Sequence, residues 1–166
     1  MKEAAPILRG LTVEDAAACD AIVAGLPYHF GNERGVAACA EAVRSQEGFV
    51  AAIDERVVGF LTFEAHSAES VEITWMAVHA EHRRRGIGRS MIEHASANLA
   101  ARGVRFVSVL TLGPSVPEDV PDGYDGTRRF YRAVGFTPLR ELDLRSWDDE
   151  SALLLVRALG PSHTIE

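Results

Sequence analysis

Apolar positions change their spacing several times along the chain, and each change marks an element. Ile7 to Leu11 reads as a short strand. Thr12, with Asp15 three residues on, has the spacing of a capping box and opens an Ala-rich helix reaching about Gly25. Leu26-Pro27-Tyr28-His29-Phe30-Gly31 breaks that pattern and crowds rings into a loop, after which Gly35 to Ser45 reads as a second helix. Gly48 to Ile53 and Val57 to Glu64 form two strands turned by Asp54-Glu55-Arg56, an antiparallel hairpin. A third strand, Val71 to Val78, follows a polar loop. The longest helix runs from Gly86 to Arg102, where Ile87, Met91, Ala95 and Leu99 recur every four positions as one apolar stripe and Gly103 supplies the stop. Val104 to Leu112 is β-branched and apolar, a buried strand. A Pro/Gly/Asp-rich loop, Gly113 to Asp125, precedes a short helix from Thr127 to Val134, and Thr137 to Leu144 and Ala152 to Ala158 are the last strands. The order β-α-α-β-β-β-α-β-α-β-β, with a strand-helix-strand crossover from 71–78 to 104–112, predicts one α/β domain over residues 1–166. Its central sheet is expected to be mixed, mostly antiparallel and flanked by helices.

Composition narrows the class. A length of 166 residues suits one domain, and 47% hydrophobic residues supply its core without a metal or disulfide staple. The longest apolar stretches are strand-length, so no membrane span is expected. The N-terminus lacks the apolar run of a signal peptide. Cys19 and Cys39 lie in helix-like segments and read as small buried hydrophobes of a reducing compartment, so a cytoplasmic location is expected. A formal charge of -7 argues against a general nucleic-acid binder. The six histidines show no metal-ligand spacing, and no metal is expected.

One local basic site stands out against that charge. Met76-Ala77-Val78 ends a strand, and Arg83-Arg84-Arg85-Gly86-Ile87-Gly88-Arg89 opens the longest helix. Backbone N–H groups at a helix start are unpaired and partly positive, glycines permit close approach to them, and arginines add full charge. Together these suit a pyrophosphate. A dinucleotide fingerprint needs glycine where Met91 stands, and no P-loop sequence occurs. A solvated arginine cluster on a glycine-started helix is the other reading of the same residues.

Arg83-x-x-Gly86-x-Gly88 after an apolar strand resembles the acetyl-CoA signature of the GNAT superfamily of N-acetyltransferases, written Q/R-x-x-G-x-G/A. Phe130-Tyr131-Arg132-Ala133-Val134-Gly135-Phe136 is similar to that family's second signature, and the order of elements agrees over nearly the whole chain. Tyr124 stands where the family often has Asn, after a longer loop from Pro114 to Asp125.

The resemblance implies acetyl-CoA as co-substrate. Its pantetheine arm would pair with the backbone of Met76, Ala77 and Val78 where the strand splays from 104–112, and its pyrophosphate would sit on the backbone of Arg83, Arg84, Arg85, Gly86, Ile87, Gly88 and Arg89. It also implies that Tyr131 protonates the departing thiolate and that Glu72 is the general base, acting directly or through water. Residues 71 to 73 alternate as any strand would, so Glu72 also reads as a solvent-facing position. Tyr28, His29 and Phe30 lie in the loop that borders the acceptor site in related folds, Thr111 and Ser115 flank a strand end, and Glu64 and His66 close a hairpin strand. His79 and His82 are expected in solvent. The expected activity is acetyl transfer to a primary amine of a small molecule, with no appended recognition domain, by a monomer or homodimer. The alternatives are acetylation of a protein amine and an acyl-CoA-binding regulatory domain without turnover.

Overall fold

The computed structural model describes residues 4–30, 32–116, 123–144 and 151–160. Among them are strands β1 (Ile7–Gly10), β2 (Glu47–Ile53), β3 (Arg56–Ala65), β4 (Ser70–Val78), β5 (Phe106–Leu112), β6 (Thr137–Asp143) and β7 (Ser151–Ala158). The helices are α1 (Ala16–Ala24), α2 (Glu33–Ser45), α3 (Ile87–Ala101) and α4 (Tyr124–Ala133). Contacts divide the chain into two compact units, Met1–Glu64 with Ile73–Asn98, and Ala65–Glu72 with Leu99–Glu166.

In the first unit the strand order is β1-β2-β3-β4. The β1/β2 and β2/β3 ladders are antiparallel, with Leu8 opposite Ala51 and Val50 opposite Phe60. Asp54 and Glu55 turn the β2–β3 hairpin with φ of 47° and 66°, the two left-handed central residues that a tight hairpin turn demands. Cys19, Ile22 and Val23 of α1 and Cys39 and Val43 of α2 pack on Val50, Phe60 and Ala77. Each large side chain buried this way contributes about 1.5–3 kcal/mol. Burial pushes both thiols up to about 12, so they are inert hydrophobes, as expected.

The stripe Ile87, Met91, Ala95 and Leu99 of α3 is buried throughout. Gly59 makes room for it: a Cβ there would come within 3.1 Å of the Met91 methyl and 3.3 Å of the Ala77 carbonyl oxygen. Beneath α1, the Arg9 guanidinium grips both oxygens of Asp15 at 2.8 Å. The Asp15 carboxylate also accepts the Thr12 N–H at 2.9 Å.

In the second unit the order is β5-β7-β6, with both ladders antiparallel. Tyr131 and Val134 from α4 and the following turn, with Phe136, are buried. Gly135 turns the chain into β6 with φ 95°, and Arg157 holds this corner by donating to the Val134 carbonyl at 3.2 Å.

The class is therefore the expected one, α/β with mostly antiparallel strands flanked by helices. Several boundaries differ by a residue or more, among them β5, which begins at Phe106 rather than Val104, and three helix starts. Thr12 opens a single 3-10 turn, Val13–Asp15, before α1 begins at Ala16. Helix α2 starts at Glu33 rather than Gly35, because Asn32 caps it by accepting the Gly35 N–H at 2.6 Å. Helix α4 starts at Tyr124 rather than Thr127, its first turn drawn out by Asp125 pairing with Arg129 four residues on. Of the expected loop before it, residues 117–122 lie outside the described residues, as does Gly31.

Candidate active site

Strand β4 leads through a 3-10 turn, Ala80–His82, into the start of α3. The His79 N–H donates to the Val58 carbonyl at 2.8 Å and ties the turn back to β3. Arg84 and Gly86 both take left-handed backbone, with φ of 60° and 78°. For arginine that costs about 1–2 kcal/mol, and strain of this kind gathers where backbone is shaped for a ligand. The Ser90 N–H and hydroxyl both donate to the Gly86 carbonyl at 3.0 Å, which fixes Gly86 as the last residue before the helix. Helix α3 runs from Ile87, and the backbone N–H groups that begin a helix carry partial positive charge. A Cβ built on Gly86 meets nothing within 4 Å, so the space before this backbone is open. Arg83, Arg84, Arg85 and Arg89 are all exposed around it. A helix start beside open space and ringed by cations fits a pyrophosphate.

Ala77 is buried in the core of the first unit, while Met76 and Val78 are half-buried. His79 and His82 are half-buried rather than in solvent, their rings 5.6 Å apart. The His82 Nδ1 is buried without a hydrogen-bond partner among the described residues. Tyr28 is 72% exposed, whereas the Phe30 ring stacks on Trp75 of β4 at 5.9 Å. His29 is half-buried, its N–H bonded to the Leu26 carbonyl at 3.1 Å.

The second unit carries the remaining candidates. Tyr131 is buried between Phe130 and Phe136, whose rings meet it edge-on at 5.2 and 5.3 Å. Burial raises its hydroxyl above the ordinary phenol range, so the group holds its proton. Glu72 is recessed, 21% exposed, and its Oε2 lies 2.6 Å from Nε2 of His66, which is 52% exposed. The pairing across the hairpin tip was not legible in the sequence: it depends on the register of β3 and β4, which the irregular loop Ser67–Glu69 conceals. Thr111 is buried, its hydroxyl without a partner among the described residues. Ser115 is taken up by a structural cluster, its hydroxyl donating to Glu141 at 2.5 Å beside Ser151 at 3.0 Å. Glu64 is exposed at the end of β3.

Among the described residues no group of three or more His, Cys, Asp or Glu side chains is placed to hold a metal ion. No helix there is long and apolar enough to cross a membrane.

A family model described as an acetyltransferase (GNAT) domain matches residues 44–138. An uncharacterized N-acetyltransferase from Chlorobaculum tepidum is 41% identical over 64 residues, 39% of this chain and 41% of that protein. The match thus spans about two fifths of that relative's length. A crystal structure of a protein assigned to the GNAT family from Desulfovibrio desulfuricans superposes with a TM-score of 0.79 at 17% identity, covering 94% of this chain and all of that one. A GNAT family acetyltransferase from Elizabethkingia anophelis, solved with acetyl-CoA bound, gives a TM-score of 0.68 at 15% identity over 93% of this chain and 98% of its own.

Proposed function

The chain belongs to the GNAT acetyltransferase family, and from that premise we propose that it moves an acetyl group from acetyl-CoA to a primary amine of a small molecule. The observation that carries this reading is the start of α3. Left-handed backbone at Arg84 and Gly86 shapes the entry to the helix, with open space beside Gly86 and four exposed arginines around it. The pyrophosphate of CoA is the ligand proposed there, with Met76, Ala77 and Val78 offering backbone to the pantetheine arm.

Acetyl-CoA supplies an activated thioester, and the protein's side chains handle the protons. An alkylammonium, with an ordinary pKa near ~10, must lose one proton before its nitrogen can attack. The Glu72 carboxylate drives that loss, directly or through water. As the C–N bond forms and the C–S bond breaks, backbone N–H groups near Val78 polarise the carbonyl. The Tyr131 hydroxyl gives its proton to the departing sulfur, and the second proton leaving nitrogen restores it. Each positioned acid or base accounts for roughly 10²–10⁴-fold in rate. The net charge of -7 and the rings of Tyr28, Phe30 and Trp75 suit a cationic acceptor. Thr111 is retained as an acceptor-side candidate from its place in β5.

Replacing Gly86 with Val tests the cofactor half. A β-branched residue strains the left-handed backbone and projects into the open space. CoA affinity measured by calorimetry should fall by about 10²-fold or more while the thermal transition persists. Unchanged affinity would remove the arginine–glycine turn from the reading. Small-molecule and peptide amines, assayed side by side for CoA release, separate the proposed acceptor from a protein amine.

A further inference from the structure

The β3–β4 tip is held tightly for a surface hairpin. The His66 and Ser67 N–H groups both donate to the Ser70 carbonyl, at 2.9 and 3.2 Å, and the Glu69 carbonyl accepts from Arg105 and Phe106 at 2.8 and 3.0 Å. This framework sets the imidazole against a recessed carboxylate at 2.6 Å and leaves the rest of the ring half in solvent. The other charged side chains at the tip are Glu64 and Glu69, the latter paired with Arg105 at 3.5 Å.

We propose that Glu72 works through His66: the imidazole takes the proton from the acceptor ammonium, and Glu72 orients the ring and carries the counter-charge. The inference rests on the reading of Glu72 as the group that drives deprotonation. The two ring nitrogens divide the work. Nε2–H donates to Glu72, which fixes the tautomer and leaves the Nδ1 lone pair as the proton acceptor on the ring's open side. One N–H bond of the ammonium breaks and one N–H bond forms at Nδ1. The resulting imidazolium is stabilised by the carboxylate beside Nε2. After transfer the Nδ1 proton passes to bulk water, which the exposed ring reaches without a channel. The half-buried carboxylate of Glu72 has less access to solvent than the ring it holds.

The test compares His66→Gln, His66→Ala, Glu72→Gln and the double variant His66→Gln with Glu72→Gln. Steady-state CoA release is followed with an accepted amine, beside CoA affinity and thermal stability. Glutamine at 66 keeps a donor for Glu72 but takes no proton. The expected result is a fall in kcat of tenfold or more for each single variant, with CoA affinity kept. The double variant should fall no further, since the two groups act as one unit. Imidazole added to His66→Ala should restore turnover in proportion to its concentration, which a purely structural role would not produce. Parent-like turnover in His66→Gln with a loss in Glu72→Gln overturns the relay and leaves Glu72 acting alone. Parent-like turnover in both removes the relay and Glu72 together. A parent protein that releases no CoA with any amine fails the transfer reading itself and the relay with it.

Discussion

The acid and the carboxylate proposed to drive deprotonation sit in opposite surroundings, although both belong to the second unit. Tyr131 is sealed among Phe130 and Phe136, and desolvation raises its hydroxyl out of the ordinary phenol range. Glu72 lies on a strand face near a hairpin tip, against an imidazole that reaches solvent. The first environment keeps a proton in place, as an acid needs. The second can pass a charge to water, as a base that must reset each turnover needs. Reversing the roles would demand a buried phenolate at Tyr131, which desolvation disfavours.

The largest effect should come from the sealed side. Tyr131→Phe keeps the ring packing and loses only the hydroxyl, so turnover should drop by about 10²-fold or more with CoA binding near that of the parent. Because the folded-state pKa is raised, the hydroxyl stays protonated as pH climbs. The parent should hold its maximal rate through the ordinary phenol value near ~10 rather than losing it there. Parent-like turnover in the Phe variant would make Tyr131 a packing residue and dissolve the contrast.

Glu72→Gln should cost somewhat less, roughly tenfold to 10²-fold, and the loss should appear in kcat. A variant that raises KM alone would show that the carboxylate attracts the cation without handling its proton.

A third carboxylate sharpens what a structural partner looks like. Asp15 is buried, gripped by Arg9, and the hydrogen bonds from that guanidinium hold it near about 2. Its folded-state pKa lies below the unfolded value, so its contribution is complete above about pH 4 and is lost as pH falls toward 2. With Arg9 44% exposed and screened, that contribution is about 1–2 kcal/mol. Asp15→Asn should lower the melting temperature at neutral pH, narrow the gap to the parent on acidification, and leave acetyl transfer untouched. An equal gap at all pH values would show that packing, not charge, is at stake.

Most elements were legible because periodicity reports burial directly. The stripe Ile87, Met91, Ala95 and Leu99 is buried along its whole length. The start of α3 was legible for the same local reason, since glycines and arginines in a short run mark their own backbone and charge. The start of α4 was hidden by a Pro/Gly/Asp-rich approach, although Asp125 with Arg128 and Arg129 is a helical spacing. The His66–Glu72 pair and the Arg9–Asp15 pair were out of reach because each depends on where a turn sets two segments, which composition does not encode. The Ser115–Glu141 bond is hidden for the same reason, since Glu141 lies two elements away.

Acetyl transfer from acetyl-CoA to an amine can be followed in a single assay. The protein is incubated with acetyl-CoA and a panel of primary amines, with free CoA and the acetylated amine followed together by mass spectrometry. At least one small amine should gain a single acetyl group in step with CoA release, and Tyr131→Phe should slow both by the same factor. Tight binding of acetyl-CoA with no amine-dependent CoA release across small-molecule and peptide amines would contradict acetyl transfer, and would leave an acyl-CoA-binding domain without turnover.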